Sequence, residues 1–290
     1  MEGAFSLDHV VVLVEDLAAG TEDFTALGFI VVQGGEHTGR GSHNALITFA
    51  DGSYLELIAF KHRSAPPDLR IPKQVRAREL IASQSSPAER RVRAWETAGE
   101  GLVDFALLPG AIEEVIAGAG RRGLALEGPL PGGRLRPDGQ QVAWQLGIPD
   151  AFDLPFLCAD VTPRSLRLPD GAARQHTNGV MGIMCLLVLV TDLDFSVPRY
   201  RALLGVEPAQ GSAFPWPDAQ TVDFVLGSAT ITLAEPTGKS SPLCDYLNRC
   251  GEGPYALRLR TNDRARAGML DPARTHGAQI EMVFEGDNKP

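Results

Sequence analysis

The sequence predicts an α+β protein made of repeated βαβββ modules, in which a strand is followed by a helix and three further strands. The first observation is an internal repeat, because residues 12–17 (VLVEDL) recur as residues 188–193 (VLVTDL). The second is the order downstream of each copy, an aromatic residue (Phe24 or Tyr200) and then a Leu-Gly pair. The chain therefore carries at least two copies of one structural unit.

Each element of the first module has its own local pattern. The β-branched run before Asp16 predicts a strand, Asp16 suits the N-cap of a helix, and Gly28 suits the position just past the helix end. Asp192 and Gly205 repeat these caps in the later copy. Three further strands are predicted at residues 30–33, 44–49 and 54–59, separated by a turn-rich stretch at 34–42 and by the turn Asp51-Gly52.

Two further copies, the second and the fourth, bring the predicted total to four modules in two pairs. The second runs from residue 103 to 159, the third covers residues 182–234, and the fourth starts at Tyr255 and ends around Phe284, two strands short. We expect a first domain over residues 1–165 with an insertion at 61–100, a linker at 166–178, and a second, degenerate domain over 179–290.

Composition excludes several classes of protein. The 290 residues include 36 acidic and 27 basic side chains, a formal charge of −9, which disfavours nucleic acid as a partner. No apolar run approaches the roughly 18 residues that span a membrane, and no signal peptide is recognised. Four cysteines without a CxxC pair favour a reducing compartment. We expect a cytoplasmic globular protein with a small-molecule substrate, and the sequence leaves a homodimer open.

Three motifs in order resemble the vicinal oxygen chelate superfamily, in its glyoxalase-like branch. They are LDHVV at residues 7–11, LGF at 27–29 with GGEHTGRGSHNAL at 34–46, and DGSYLELI at 51–58. The resemblance implies that the βαβββ modules pair into cup-shaped mixed sheets around a small-molecule cavity. We expect the first pair to hold the functional site and the second pair to serve as scaffold, dimer surface or lid, because the second pair has no His or Glu at the key positions.

His9 and Glu56 are the predicted centre of that site. The resemblance matches them to positions that hold a metal ion in the superfamily, and an imidazole with a carboxylate is a normal ligand pair for Fe, Mn, Zn or Ni. Glu56 also interrupts an apolar strand, where an unpaired carboxylate is costly. The alternatives are that Glu56 faces solvent on an alternating strand and that His9 is a hydrogen-bonded core histidine.

The partner module offers no second pair of ligands, since the equivalent positions hold Val103 or Asp104 and Phe156 or Cys158. His43 could complete a two-histidine, one-carboxylate set with His9 and Glu56 and one divalent metal. Without a metal, His9 and Glu56 form an acid–base dyad suited to enolisation, elimination or cyclisation of a carbonyl compound.

Further residues are predicted to contact substrate. His37 and Arg40 lie in a glycine-rich rim and could touch an anionic group, although a solvated hairpin explains them as well. Asn44 and Tyr54 belong to the motifs of the resemblance. Aromatic wall residues complete the set, with core packing as the alternative: Trp95, Phe105, Trp144 and Phe156.

The predicted function is that of an enzyme acting on a small oxygenated organic molecule by lyase, isomerase, cyclase or dioxygenase chemistry. The alternatives are a metal-free protein that binds or sequesters a small molecule, as resistance proteins of this fold do, and an interaction module with a vestigial site. Two smaller expectations concern structure. Arg90, Arg91 and Arg93 are predicted to form a solvated helix face, and His176 to serve in packing or as a hinge.

Overall fold

The computed structural model of the chain describes residues 5–62, 85–211, 214–238 and 241–288. Most of the predicted insertion at 61–100, namely residues 63–84, lies outside these ranges. The described helices are α1 Leu17–Ala26, α2 Pro87–Thr97, α3 Ile112–Arg121, α4 Arg164–Arg167, α5 Leu193–Leu204 and α6 Pro242–Cys250. The described strands are β1 Phe5–Leu13, β2 Val32–His37, β3 Ser42–Thr48, β4 Tyr54–Phe60, β5 Gly101–Pro109, β6 Leu126–Leu135, β7 Gln141–Pro149, β8 Phe156–Asp160, β9 Val180–Leu189, β10 Ala209–Gln210, β11 Ala219–Leu226, β12 Ala229–Pro236, β13 Gly253–Thr261, β14 Gly268–Met269 and β15 Gln279–Phe284.

The predicted module pattern is confirmed. Strand β1, helix α1 and strands β2–β4 form one βαβββ unit, β5 with α3 and β6–β8 form the second, and β9 with α5 and β10–β12 form the third. The fourth module has three described strands, β13, β14 and β15, and a short 3-10 helix at Arg264–Arg266. It is thus one strand short within the described residues, and not two as the sequence suggested, because the two-residue β14 carries no hydrophobic pattern.

The helix caps follow the predicted chemistry. The Asp16 carboxylate accepts hydrogen bonds from the Ala18 and Ala19 amides at 2.7 and 3.0 Å. Asp192 accepts from the Phe195 amide at 3.1 Å, and α5 ends at Gly205 with a left-handed φ of 69°. These caps satisfy amides that a helix start leaves free, and glycine adopts the left-handed end without steric cost.

The first two modules close into a barrel. Its strand order is β1-β4-β3-β2-β6-β7-β8-β5, with β1 parallel to β4 and antiparallel to β5. The closing pair, β2 with β6, is joined by only two residue pairs, Glu36 with Leu135 and His37 with Arg134. The cup that the resemblance implied is therefore shut along one short seam. The other two modules form an open seven-stranded sheet in the order β10-β11-β12-β9-β13-β15-β14.

Strand alternation divides the barrel into an inner and an outer face. Val10 and Val12 on β1 face outward into an apolar cluster that also contains Leu186 and Val188 of the second sheet. Val11 packs in a separate inner cluster, on the same side of the strand as His9. The outer face thus anchors the barrel to the second sheet, while the inner face is free to form a cavity.

Residues 166–178, predicted as a linker, pack against the barrel. His176 Nδ1 accepts a hydrogen bond from the Ile30 amide at 2.9 Å, which leaves Nε2–H to donate to the Thr48 carbonyl at 3.0 Å. The ring also lies edge-on to Phe29 and Phe49. His176 therefore has the packing role that the sequence suggested. The domain boundaries themselves stay a prediction.

The His176 contacts predict a pH-dependent stability. Burial lowers the pKa of His176 below 6.5, although its bond to Thr48 opposes the shift. As the pH falls, His176 is therefore protonated in the unfolded chain before it is protonated in the folded chain. The contribution of His176 to the free energy of unfolding is complete above pH 6.5 and is lost as the pH falls below that value. We expect the urea midpoint to drop between pH 6.5 and 5 more steeply in the wild type than in His176→Gln, and parallel curves would contradict the assignment.

No helix among the described residues combines the length and the apolar composition that crossing a membrane requires. The cytoplasmic location stays a prediction from the sequence.

Candidate active site

The barrel encloses a cavity of about 340 Å³ between the inner faces of its strands, with helix α2 contributing Val92 and Trp95. A cavity of this volume suits a small organic ligand. Most of the residues predicted to act at the site line it: His9, His37, Arg40, Asn44, Tyr54, Glu56, Trp95, Trp144 and Phe156.

Glu56 lies at the centre of the polar part of the cavity and is 7% exposed. Its Oε2 is 3.3 Å from His9 Nε2, and its Oε1 is 3.3 Å from His37 Nε2. Oε1 also accepts a hydrogen bond from Asn44 Nδ2 at 2.7 Å. Burial alone raises the pKa of Glu56, but the hydrogen bonds and charges of His37, His9 and Asn44 outweigh it and lower the pKa to about 2. The carboxylate is therefore ionised at neutral pH.

His9 is held in place by Asp8, which the sequence analysis did not identify. Asp8 Oδ2 lies 2.8 Å from His9 Nδ1. Two residues next to each other on a regular strand point to opposite faces, but the pairing of β1 with β5 shifts register between Leu7 and His9, which marks a bulge at Asp8. Because the ionised Asp8 carboxylate is an acceptor only, Nδ1 of His9 donates to it and Nε2 faces Glu56.

Two arginines keep Asp8 ionised. Arg167 Nη1 donates to Asp8 Oδ2 at 2.8 Å, and Arg164 Nη2 donates to Oδ1 at 2.7 Å. Complete burial raises the pKa of Asp8, but Arg167 and His9 outweigh it and hold the pKa well below its usual range. Arg167 also donates to Tyr54 Oη at 2.7 Å, and the Tyr54 ring stacks on His9 with centroids 4.6 Å apart. The predicted linker thus supplies a buried cation that supports the site.

His37 reaches Glu56 from the barrel seam. Its Nδ1 is 3.0 Å from Ser42 Oγ, and its ring lies edge-on to Trp144 with centroids 6.0 Å apart. The sequence predicts His37 on a glycine-rich rim and predicts no contact with Glu56, because the β2–β6 seam that turns His37 inward cannot be recognised from local sequence. The two imidazoles and the carboxylate together form a connected set of ionisable side chains, His9–Glu56–His37.

Two predicted site residues lie elsewhere. His43 follows Ser42 on β3 and has the opposite orientation to Asn44, so it lines a separate groove with Glu36 beside α1 and does not join His9 and Glu56. Phe105 is fully buried in the apolar cluster between the barrel and the second sheet, and it does not line the cavity. Strand alternation explains both corrections, since a one-residue offset moves a side chain to the other face.

The residues present do not fit the metal ion that the resemblance implied. The described residues include no group of three or more His, Cys, Asp or Glu side chains arranged to hold a metal. His9 and His37 approach different oxygens of Glu56 and do not converge on a shared point with His43. The partner module pairs Ala106 with His9 and contributes Phe156 and Cys158 to the cavity wall. Burial raises the pKa of Cys158 to about 12, so its thiol is not poised as a ligand.

The predicted solvated arginine face of α2 is wrong for Arg90 and Arg91, which are buried, whereas Arg93 is exposed. Arg91 is 3% exposed, and its Nε and Nη2 each donate to the Asp104 carboxylate at 2.6 Å. Asp104 also accepts from Trp95 Nε1 at 2.8 Å, which fixes the indole over the cavity. The helix packs on the end of the barrel, so a basic residue on its inner side becomes a buried ion-pair partner.

A glycine on β6 makes room for the wall of the cavity. A Cβ added at Gly132 would lie 2.2 Å from Trp144 Nε1, so Gly132→Ala forces the indole out of its position. We expect a loss of stability of about 1–3 kcal/mol and a changed tryptophan emission spectrum. Gly120→Ala in α3, where an added Cβ meets nothing within 4 Å, serves as the control and should be neutral or slightly stabilising. An unchanged spectrum in Gly132→Ala would contradict the placement of Trp144.

Comparisons with known proteins identify the family and the fold. A family model described as a glyoxalase-like domain matches residues 7–204. A crystal structure of a hypothetical protein from Staphylococcus aureus superposes with a TM-score of 0.67 at 14% identity, covering 97% of this chain and 99% of that one. That likeness shows the fold over almost the whole chain.

Shorter structures also match. Methylmalonyl-CoA epimerase from Mycobacterium tuberculosis covers 37% of this chain and 90% of its own at 22% identity, with a TM-score of 0.31. A Streptomyces coelicolor methylmalonyl-CoA epimerase covers 38% of this chain and 99% of its own at 20% identity, with a TM-score of 0.33. No curated protein matches the chain.

Proposed function

The chain belongs to the family of glyoxalase-like domains, and from that premise we propose that it is an enzyme that moves a proton on a small oxygenated organic molecule bound in the barrel cavity. The reaction class is isomerisation or elimination next to a carbonyl group. The proposed partner is a small-molecule substrate. We propose no nucleic-acid partner. A homodimer stays a prediction.

The observation that carries this proposal is the position of Glu56 between two imidazoles inside the barrel cavity. Each imidazole presents Nε2 at 3.3 Å from a carboxylate oxygen. An imidazole can remove a proton from carbon and return it at another position, and the ionised Glu56 stabilises the imidazolium that forms in between. Glu56 itself is a weak base because its pKa is about 2. We therefore assign the proton transfers to His9 and His37, and a charge-stabilising role to Glu56.

The surroundings support this assignment. Asp8 orients His9 through Nδ1 in the manner of the acid–histidine pairs of other acid–base sites. Asn44 holds Glu56 in place through a 2.7 Å hydrogen bond. The aromatic rings of Trp95, Trp144 and Phe156 form a wall that lowers the polarity around the reacting atoms.

The dioxygenase and metal-dependent variants of the predicted function are not part of this proposal. The resemblance implies one divalent metal, Fe, Mn, Zn or Ni, but His43 lies on the other face of its strand, and the described residues that the second module contributes to the cavity wall include no His, Asp or Glu. The acid–base interpretation of His9 and Glu56 is the one that the contacts support.

Solvent exchange tests the proposal without knowledge of the natural substrate. A panel of small ketones, keto acids and hydroxy-carbonyl compounds is incubated in D₂O with the protein, and loss of C–H signal is followed by NMR. We expect catalysed exchange at the carbon next to the carbonyl for at least one compound class, retained in His43→Gln and lost in His9→Gln. Equal loss in His43→Gln would contradict the assignment, because that side chain lies outside the cavity.

One observation favours a second candidate, a protein that binds or sequesters its ligand without changing it. The proton-carrying residues all come from the first module, whereas the second module contributes Trp144, Phe156 and Cys158, which form a wall only. Binding of a panel compound with no exchange at any carbon, in the wild type as well as in His9→Gln, would favour this candidate over the enzyme.

A further inference from the structure

The cavity contains two guanidinium groups, Arg40 and Arg134, that no carboxylate among the described residues neutralises by direct contact. Arg134 lies on β6 and is 3% exposed. Its Nη2 donates to the main-chain carbonyl of Arg167 at 2.5 Å, while its Nε is buried without a hydrogen-bond partner in the described part of the chain. Leaving a buried donor unpaired is unfavourable. Arg134 thus lines the cavity with a buried donor that no group in the described part of the chain pairs.

The other charges at this end of the barrel are balanced. Arg164 and Arg167 both pair with Asp8 and Asp160. Among the described residues that line the cavity, Glu56 is the only acidic side chain, and it is already held by two imidazoles and Asn44. The cavity therefore has an excess of positive charge, which a negatively charged ligand would neutralise.

Arg134 is also placed next to the proton-carrying residues. Across the barrel seam it is the direct partner of His37, and paired residues of neighbouring strands project to the same face. Trp144, on the next strand, packs edge-on to His37 and borders the same space. A group bound to Arg134 would therefore sit beside His37 and against the aromatic wall.

We propose that the substrate is a small organic carboxylate whose carboxylate group binds Arg134, with Arg40 adding positive charge, and whose apolar part packs on Trp144 and Phe156. A planar monoanion matches the planar guanidinium, and the cavity of about 340 Å³ limits the ligand to a small acid. The proposal deepens the proposed function by naming the class of substrate. The binding step does not require that the proton transfer occur.

The test compares an acid with its neutral isostere. Benzoate and phenylpyruvate are titrated against benzamide and phenylpyruvamide, and quenching of tryptophan emission reports binding, since Trp95 and Trp144 both line the cavity. We expect each acid to bind at least about tenfold more tightly than its amide. Arg134→Met should remove this preference, and Arg134→Lys should keep part of it. Phenyl phosphate shows whether the site selects carboxylates over other oxyanions.

Arg136→Met is the matched control. Arg136 lies two residues after Arg134, and each of the two donates to a main-chain carbonyl, Arg136 to that of Leu166 and Arg134 to that of Arg167. Unlike Arg134, Arg136 does not line the cavity. The acid preference should be unchanged in this variant. Thermal melting identifies any variant that fails to fold. The comparison of acid with amide in the wild type does not depend on any variant.

Three results would overturn the inference: equal binding of acids and amides, no binding of either acid at millimolar concentration, or an acid preference that survives Arg134→Met. Tighter binding of phenyl phosphate than of both carboxylates would overturn the choice of a carboxylate. Failure of the proposed function looks different, because the acids would then bind with the expected preference while none of the panel compounds exchanges deuterium.

Discussion

Arg167→Met is expected to lower the free energy of unfolding by about 3–5 kcal/mol. Arg167 is 1% exposed, and its guanidinium donates five hydrogen bonds: two to Asp8, two to Asp160 and one to Tyr54 Oη. Methionine fills similar volume but leaves the fully buried Asp8 carboxylate with one arginine fewer. A buried charge without its partner is among the most destabilising features a substitution can produce. Urea denaturation at neutral pH measures the loss.

Arg164→Met provides the matched comparison, since Arg164 binds the same two carboxylates but has a side chain 30% exposed to solvent. Solvent screens its contribution, so we expect a loss of about 1 kcal/mol. The double variant Asp8→Leu with Arg167→Met should recover part of the stability lost by Arg167→Met, because it removes the uncompensated charge. Equal losses for the two arginine variants would contradict the burial argument.

Glu56→Gln is expected to slow catalysed deuterium exchange about 10²–10⁴-fold, with a smaller effect on ligand binding. Glutamine keeps the shape and still accepts from Asn44, but it removes the negative charge that lies 3.3 Å from both imidazoles. The imidazolium that forms when His9 or His37 takes a proton then loses its stabilising partner. Exchange rates at saturating concentration of the best panel compound measure the effect.

His9→Gln and His37→Gln separate the two imidazoles. A reaction that removes a proton with one imidazole and returns it with the other needs both. The two variants should therefore slow deuterium exchange at a single carbon to different extents and slow the complete isomerisation to the same extent. His43→Gln on the same strand as Asn44 should change neither rate. Full activity in Glu56→Gln would show that the carboxylate is only structural.

The fold was largely predictable because its determinants are local. The VLVEDL repeat, the Asp16 and Asp192 caps and the glycine after each helix place strands and helices without reference to the rest of the chain. His9 and Glu56 were predictable as inner-face residues because a charged group within an apolar strand needs a partner. Closure of the barrel was not, since the β2–β6 seam joins residues about a hundred positions apart through two pairs.

The remaining site residues depend on features that no short pattern carries. Asp8 points inward only because of a bulge, and His43 points outward because of the register of β3. Arg167 lies in a segment whose composition is that of a linker, and Arg134 is one arginine of a polar strand. Their roles come from tertiary packing, which sets the face and the burial of each charge.

The central claim is that His9 and His37 transfer the proton and Glu56 stabilises the imidazolium, so that protein side chains alone supply the acid–base chemistry. Metal analysis of protein purified without added metal or chelator tests it most directly, on the wild type beside His9→Ala, Glu56→Ala and His43→Ala. The account predicts iron, manganese, zinc and nickel well below one equivalent in all four proteins, together with exchange activity that a chelator leaves unchanged. One equivalent of metal in the wild type, lost in His9→Ala and Glu56→Ala, would contradict it.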